Sequence, residues 1–215
     1  MERIACILIG YGFGLFQTGY LYGRLKHIDI RQYGSGNAGT TNALRVLGRK
    51  AGIITYAGDA LKAFFAGLLV RILFRDSHAD MLTLLVVYAG LGVVLGHNYP
   101  FYLNFKGGKG IAATSGMLAA IDWRLALVCA AIFICVTAVS HYVSLGSLCM
   151  MTGFLIFLII GGQTGVYGMS AAHRYELYAV GAVMTAQAFI RHKANIGRLL
   201  NGTENKLWGN KKETK

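Results

Sequence analysis

The stretch LTLLVVYAGLGVVL, residues 82–95, carries no charged side chain and decides the kind of fold that this sequence can adopt. A second run, residues 145–161, is likewise free of charge. A helix needs roughly 20 mainly apolar residues to cross the hydrocarbon core of a bilayer. One soluble core would have no use for several runs of this kind, so the sequence predicts an all-α, polytopic integral membrane protein.

Composition supports this fold class. Of 215 residues, 55% are hydrophobic and 14% are charged, whereas charged residues make up about a quarter of a soluble domain. The 29 glycines suit helices that pack closely in a membrane. No internal repeat or long linker interrupts the chain, so we expect a single membrane-embedded domain over residues 1–215.

Apolar runs predict about seven membrane spans, some of them short. Asp122, Trp123 and Arg124 interrupt the long apolar stretch 111–141 and predict a tight hairpin between the fourth and fifth spans. One long span in this stretch is the alternative. The predicted spans are residues 4–22, 52–74, 81–97, 110–121, 125–140, 145–161 and 175–191.

Positive charge predicts the orientation. Lysine and arginine concentrate in segments 23–51, 96–110 and 191–215, and such loops favour the cytoplasmic side. Seven spans with the N-terminus outside and the C-terminus cytoplasmic place all three inside, as five spans also would. Part of the net charge of +12 lies on Lys211, Lys212 and Lys215, which suit anionic lipid headgroups. We expect membrane lipid, and no nucleic acid, as a partner.

The first polar loop reads GSGNAGTTNALR, residues 34–45. Glycine lets backbone N–H groups converge on an anion, and Arg45 adds a donor fork suited to phosphate. A helix that begins near Thr40 would place Asn42 and Arg45 on one face. The glycine pattern matches GxGxxG, but a membrane helix precedes it instead of the strand that a dinucleotide site needs. A flexible, solvated linker is the structural alternative.

Two further loops predict anion binding. Residues 106–110, KGGKG, lead directly into a helix, whose N-terminus favours anions. The third region places His192, Asn195 and Arg198 three residues apart, so one helical face would carry them. The alternative for the second loop is an ordinary positive-inside loop, and the alternative for the third region is a basic tail that holds anionic lipid headgroups. Asp59 and Lys62, inside the second span, predict an ion pair that either braces the site or contacts substrate.

Together these motifs resemble the acyl-phosphate-dependent glycerol-3-phosphate acyltransferase family of bacteria, the PlsY type. The resemblance covers nearly the whole chain and departs from the family at Ala38, Thr40 and His141. The residues that carry it are SGNAGTTNALR (35–45), GHNYPFYLNFKGGKGIAAT (96–114), YVSLGS (142–147), HKANIGRLLNGTENK (192–206) and the pair Asp59 and Lys62.

This resemblance implies a seven-helix membrane fold in the bacterial cytoplasmic (inner) membrane, with a cytoplasmic active site. It implies acyl transfer from acyl-phosphate to the 1-hydroxyl of glycerol 3-phosphate, giving 1-acyl-glycerol 3-phosphate (lysophosphatidic acid) and inorganic phosphate, without a cofactor or metal. The general base is either His192 or substrate phosphate. The implied residues are Ser35, Lys109 and His192 for catalysis; Ser35, Gly36, Asn37, Gly107 and Gly108 for acyl-phosphate; Arg45, Lys109, Ser144, His192 and Asn195 for glycerol 3-phosphate; and Asn42, Asp59, Lys62, His97, Arg198 and Glu204 in support.

A transporter or channel for phosphate-bearing anions is the alternative function. The same basic loops would then form a pore mouth, and polar residues should continue through the spans to the outer face. The sequence shows few of these. The nine acidic residues are scattered rather than clustered as a metal-dependent alcohol phosphatidyltransferase would require.

Overall fold

The structure, a computed structural model, describes residues 1–207, and every regular element in that range is helical. The predicted tail lysines, Lys211, Lys212 and Lys215, lie outside the described residues. Short 3-10 turns occur at Ile30–Gln32, Ala79–Met81 and Phe101–Leu103. The helices are α1 Glu2–Gly14, α2 Thr18–Leu25, α3 Thr40–Leu47, α4 Arg49–Phe74, α5 Leu82–Asn98, α6 Ile111–Ile121, α7 Trp123–Ser140, α8 Val143–Gln163, α9 Ala171–Arg191 and α10 Lys193–Leu200.

Each predicted span coincides with a helix or, for the first span, with a pair of helices. Within residues 1–207, five segments are long and apolar enough to cross a membrane, namely Glu2–Leu25, Arg49–Phe74, Ala79–Leu103, Trp123–Ser140 and Val143–Gln163. The predicted hairpin separates α6 from α7 at Asp122, so two helices occupy the stretch 111–141. With 11 residues, α6 rises only about 16 Å.

The predicted first span, residues 4–22, consists of two helices rather than one. The first helix ends at Gly14 and the second begins at Thr18. Lys62 binds the freed carbonyls, with its Nζ 2.6 Å from the oxygen of Phe16 and 3.4 Å from that of Gly14. The Gln17 amide donates to the same Gly14 oxygen at 3.1 Å. An apolar run cannot reveal this break, because the groups that stabilise it include a lysine on another helix.

Glycines set the distance between α1 and α5. Gly10 and Gly14 on α1 face Gly92 and Gly96 on α5, and a Cβ added at any of the four would overlap the backbone of the opposite helix. Small residues spaced four apart are a standard contact between membrane helices. The close approach brings the C-terminal end of α5 against the break between α1 and α2.

Alternating helix directions gather the polar segments at one end of the bundle. Contacts between segments show this directly: Arg31 donates to the Leu103 carbonyl at 3.1 Å, and the Leu207 N–H donates to the His141 carbonyl at 2.8 Å. The opposite end carries ion pairs such as Arg3 with Glu176. The candidate site therefore lies at the end that collects the three basic segments.

The glycine contact gives a stability prediction. Gly14→Leu should force α1 away from α5 and lower the free energy of unfolding by roughly 1–3 kcal/mol, the usual penalty of overpacking. Gly12→Leu is the matched control, because an added Cβ at Gly12 meets nothing within 4 Å. The midpoint of thermal unfolding in detergent measures both. Equal midpoints for the two variants would show that the close approach does not stabilise the fold.

Candidate active site

Two cavities share one wall at the basic end of the bundle. The first has a volume of about 200 Å³ and the second about 530 Å³. The wall they share is made by Ser35, Asn37, Lys109, Asn195 and Arg198. The predicted residues found only at the first cavity are Asn42, Arg45, Asp59, His97, Ser144, His192 and Glu204, and those found only at the second are Gly36 and Gly107.

Four helices begin at the first cavity. Its lining includes the first residues of three of them, Thr40 of α3, Ile111 of α6 and Val143 of α8, and also Asn195 in the first turn of α10. The first turn of a helix leaves backbone N–H groups without partners in the helix and carries partial positive charge. Four such ends on one cavity favour an anion inside it.

Asn42 organises the first loop from within. It is 1% exposed, and its amide nitrogen donates to the carbonyls of Ile30, Tyr33 and Asn37 at 2.9–3.1 Å. Its side-chain oxygen accepts the Ser35 N–H at 2.8 Å. Asn42 therefore supports the loop, as predicted, and the helix begins at Thr40, as predicted.

Two of the glycine N–H groups of the first loop, which were predicted to converge on an anion, have acceptors within the loop. In the first loop, Gly36 N–H donates to the Tyr33 carbonyl at 3.1 Å and Gly39 N–H to the Asn37 side chain at 2.9 Å. These donors are used inside the loop, because a sharp turn must satisfy its own backbone groups. The N–H groups of Gly36 and Gly39 are therefore engaged within the loop itself.

The glycine N–H groups of the second loop also have protein acceptors. Gly107 N–H donates to the Asn98 carbonyl at 3.1 Å and Gly108 N–H to the His97 carbonyl at 3.0 Å. Gly108 lines neither cavity and packs against the His97 ring, contrary to the acyl-phosphate contact predicted for it. Arg191 holds the loop from the other side, with Nη2 3.3 Å and 2.8 Å from the Gly107 and Gly108 oxygens.

The third region folds as predicted into a face of α10 that lines the first cavity. Glu204 joins this face: its carboxylate accepts from the Asn195 amide at 2.7 Å, the Ser144 hydroxyl at 3.1 Å and Arg198 Nε at 2.7 Å. Its side chain is 3% exposed. A carboxylate thus occupies donors that an incoming anion could use.

Lys109 on the shared wall and His192 at the first cavity both have lowered pKa values. Burial, opposed by Glu204 and reinforced by neighbouring arginines, lowers the pKa of Lys109 to about 8, and its ammonium donates to the Asn195 side-chain oxygen. Burial and the charge of Lys109 lower the pKa of His192 to about 4, so its imidazole is neutral at pH 7. His192 Nδ1 lies 2.7 Å from the Ala188 carbonyl, which can only accept, so Nδ1 carries the proton.

The deep end of the first cavity joins an ionic core. Lys62 Nζ lies 3.0 Å from Asp59 Oδ1 and 2.9 Å from His97 Nδ1, which confirms the predicted ion pair. Asp59 and His97 line the cavity, whereas Lys62 lies behind them. Tyr56 and Phe133 add aromatic surface at this cavity.

Sequence reasoning missed several of these residues. Gln17 and Arg191 act by binding carbonyls of other segments, and nothing in the local sequence announces such a partner. Tyr56 and Phe133 lie in apolar runs that look like ordinary lipid-facing helix. Within residues 1–207, no three His, Cys, Asp or Glu residues are placed to hold a metal ion.

The fold and site define an integral membrane protein with a phosphate-type anion site at one end of its helices. The chain belongs to the glycerol-3-phosphate acyltransferase family, whose model matches residues 4–202. It is 41% identical over 213 residues to a glycerol-3-phosphate acyltransferase of Clostridioides difficile strain 630, covering 98% of this chain and 97% of that one. It is 38% identical over 216 residues to a glycerol-3-phosphate acyltransferase of Thermoanaerobacter sp. strain X514, covering 100% of each chain.

Two solved structures share the fold. The glycerol 3-phosphate form of PlsY, an integral membrane glycerol 3-phosphate acyltransferase, superposes with a TM-score of 0.83 at 32% identity, covering 97% of this chain and 96% of that one. The lysophosphatidic acid form gives 0.80 at 31% identity, covering 96% and 95%. The protein is therefore a membrane-embedded glycerol-3-phosphate acyltransferase, as the resemblance implied.

The scaffold role of Asn42 can be tested. Asn42→Ala should leave three loop carbonyls and the Ser35 N–H without their partner and lower the free energy of unfolding by roughly 1–3 kcal/mol. Asn201→Ala is the control, because Asn201 is exposed at the end of α10. Thermal unfolding and limited proteolysis within residues 26–48 report the effect. Unchanged proteolysis of the Asn42 variant would remove it as the organiser of the loop.

Proposed function

We propose that the protein transfers the acyl group of an acyl-phosphate to the 1-hydroxyl of sn-glycerol 3-phosphate, giving 1-acyl-glycerol 3-phosphate and inorganic phosphate. The observation that carries this proposal is the wall shared by the two cavities, where Ser35, Lys109 and Asn195 face both. Two phosphorylated reactants bound on either side of that wall would meet across it.

The first cavity suits glycerol 3-phosphate. Arg45 and Lys109 supply positive charge, while Ser144, Asn195 and the helix ends supply neutral donors. The Glu204 carboxylate accepts hydrogen bonds from Ser144 and Asn195. On this proposal the substrate phosphate takes over these donors, and Arg198 continues to hold Glu204.

The second cavity suits the phosphate of the donor. Ser35, Gly36, Asn37 and Gly107 line it, and Lys109 on the shared wall faces this phosphate as well. The carbonyl carbon of the acyl group would then lie at the shared wall. Apolar groups of the first cavity, including Tyr56, Ile111 and Phe133, provide a surface along which the acyl chain can leave toward lipid.

The chemistry requires no acyl-enzyme intermediate. The 1-hydroxyl oxygen attacks the acyl carbonyl carbon, the bond between that carbon and the phosphate oxygen breaks, and inorganic phosphate leaves. His192 is suited to accept the hydroxyl proton, because Nδ1 donates to Ala188 and Nε2 keeps a lone pair at the cavity. Donor phosphate is the alternative base. Ser35 and Lys109 orient the donor and stabilise the leaving phosphate.

We also propose that the cavities open to the cytoplasm of a bacterial cell and that seven segments cross its cytoplasmic membrane. Arg45, Lys109, Arg191 and Arg198 lie at the cavity end, whereas Glu2, Asp80 and Glu176 lie at the other. The positive-inside rule places the first end in the cytoplasm. The broken first span, α4 to α8 and α9 make up the seven segments.

A transport function for phosphate-bearing anions has less support. A permeation path would continue through the bundle, but buried apolar side chains such as Val70, Leu84 and Leu85 fill the interior of α4 and α5 beyond the ionic core. Membership of an acyltransferase family also favours catalysis over transport.

Phosphate release by the purified protein in detergent tests the proposed donor. Palmitoyl phosphate with glycerol 3-phosphate should give release that depends on the acceptor and forms the acylated product in equal amount. Palmitoyl-CoA in place of palmitoyl phosphate should give no product, because the hydrogen-bond donors of the cavities suit phosphate as the leaving group. Transfer from the thioester alone would overturn the assignment of acyl-phosphate as donor, but the assignment of glycerol 3-phosphate as acceptor would stand.

The pKa of Lys109 predicts a pH dependence. A pKa lowered to about 8 means that the free enzyme loses this ammonium as the pH rises through 8. The kcat/KM for glycerol 3-phosphate should therefore be level near pH 7, fall to about half at about pH 8 and then decline by up to about tenfold per pH unit. The phosphate stays a dianion over this range, because its second pKa is about 6.

Lys109→Arg separates this explanation from others. Guanidinium keeps its charge throughout this range, so the variant should lose the decline above pH 8 even if its activity is lower. A decline of the same steepness in Lys109→Arg would assign the titration to another group.

A further inference from the structure

The two histidines of the first cavity have opposite hydrogen-bonding arrangements. His192 Nδ1 lies against a carbonyl oxygen, so this ring nitrogen carries the proton. His97 Nδ1 lies 2.9 Å from Lys62 Nζ, and an ammonium can only donate. His97 Nδ1 must therefore accept, and a neutral His97 ring carries its proton on Nε2.

Alternative pairing of His97 Nδ1 is weak. The Asp59 carboxylate is the nearby acceptor, but its Oδ1 lies 3.7 Å away, beyond hydrogen-bond range. Asp59 Oδ1 instead accepts from Lys62 at 3.0 Å and from the Thr18 hydroxyl at 3.2 Å. The ionic core thus fixes one tautomer of His97, with the Nε2–H directed away from it.

Gly108 packs beside the Nε2 edge of the ring. A Cβ added at Gly108 would overlap His97 Nε2, so only glycine fits at this position. Within residues 1–207, no protein group accepts a hydrogen bond from this nitrogen. His97 is 3% exposed and lines the first cavity. A buried N–H without a protein acceptor is ready for an anionic oxygen of a ligand.

We propose that His97 is a catalytic residue whose Nε2–H donates a hydrogen bond to the carbonyl oxygen of the acyl-phosphate, the oxygen on which negative charge grows during transfer. Lys62 is the positioning residue that fixes the tautomer. The proton stays on Nε2, so no proton is transferred in this interaction. The inference rests on the proposed function: His192 offers a lone pair for the hydroxyl proton, and His97 offers a donor for the developing charge.

Two substitutions at His97 distinguish this role from simple packing. The His97→Gln side-chain amide reaches the position of Nε2 and can still donate there, whereas the shorter His97→Asn amide reaches only the position of Nδ1. Palmitoyl phosphate and glycerol 3-phosphate are the substrates. Asn should lower kcat about 100-fold with KM changed less than about threefold, and Gln should stay within about tenfold of the original kcat. His78→Asn, in the connection that precedes α5, should leave kcat unchanged.

Equal losses of kcat in the two His97 variants would overturn the proposal, as would a rise in KM with kcat unchanged. Nitrogen-15 NMR of histidine-labelled wild-type protein tests the tautomer without any substitution at His97. The His97 signal, assigned by its absence from His97→Gln, should show a proton on Nε2, and a proton on Nδ1 would contradict the proposed geometry. Absence of transfer by the wild type would reject the proposed reaction, but the NMR result would still decide the tautomer.

Discussion

The Lys62 side chain links the membrane fold to the candidate site. Away from water, its ammonium needs partners, and it finds the Phe16 carbonyl at the helix break, the Asp59 carboxylate and the His97 ring. Without these acceptors the buried charge would be costly. Without Lys62, the Phe16 carbonyl would lose its partner. The break between α1 and α2 and the deep end of the cavity therefore depend on the same interaction.

The cavity itself balances positive and negative groups. Helix ends, Arg45, Lys109 and Arg198 attract an anion, but an empty site of one sign would repel itself and destabilise the fold. Glu204 offsets part of this charge through Ser144, Asn195 and Arg198. The site therefore combines positive groups that attract an anion with one carboxylate that offsets part of their charge.

The sequence predicted the features that depend on local pattern. Uncharged runs located the helices, Thr40 marked the start of α3, and the spacing of His192, Asn195 and Arg198 placed them on one face. It could not predict features that depend on distant partners. Lys62 on α4 binds carbonyls at the break in the first span, and Gly108 packs against the ring of His97. Glycine in a loop has several uses, and only three-dimensional contacts distinguish them.

The central claim is that one pair of adjoining cavities holds both reactants. A crystal structure with glycerol 3-phosphate and a non-hydrolysable acyl phosphonate bound together tests it most directly. We expect the phosphate and the phosphonate on either side of Lys109. The 1-hydroxyl oxygen should lie about 3–3.5 Å from the acyl carbon, which is the usual separation of reacting atoms before bond formation. Ligands that exclude each other, or that occupy sites separated by the body of the bundle, would contradict the account.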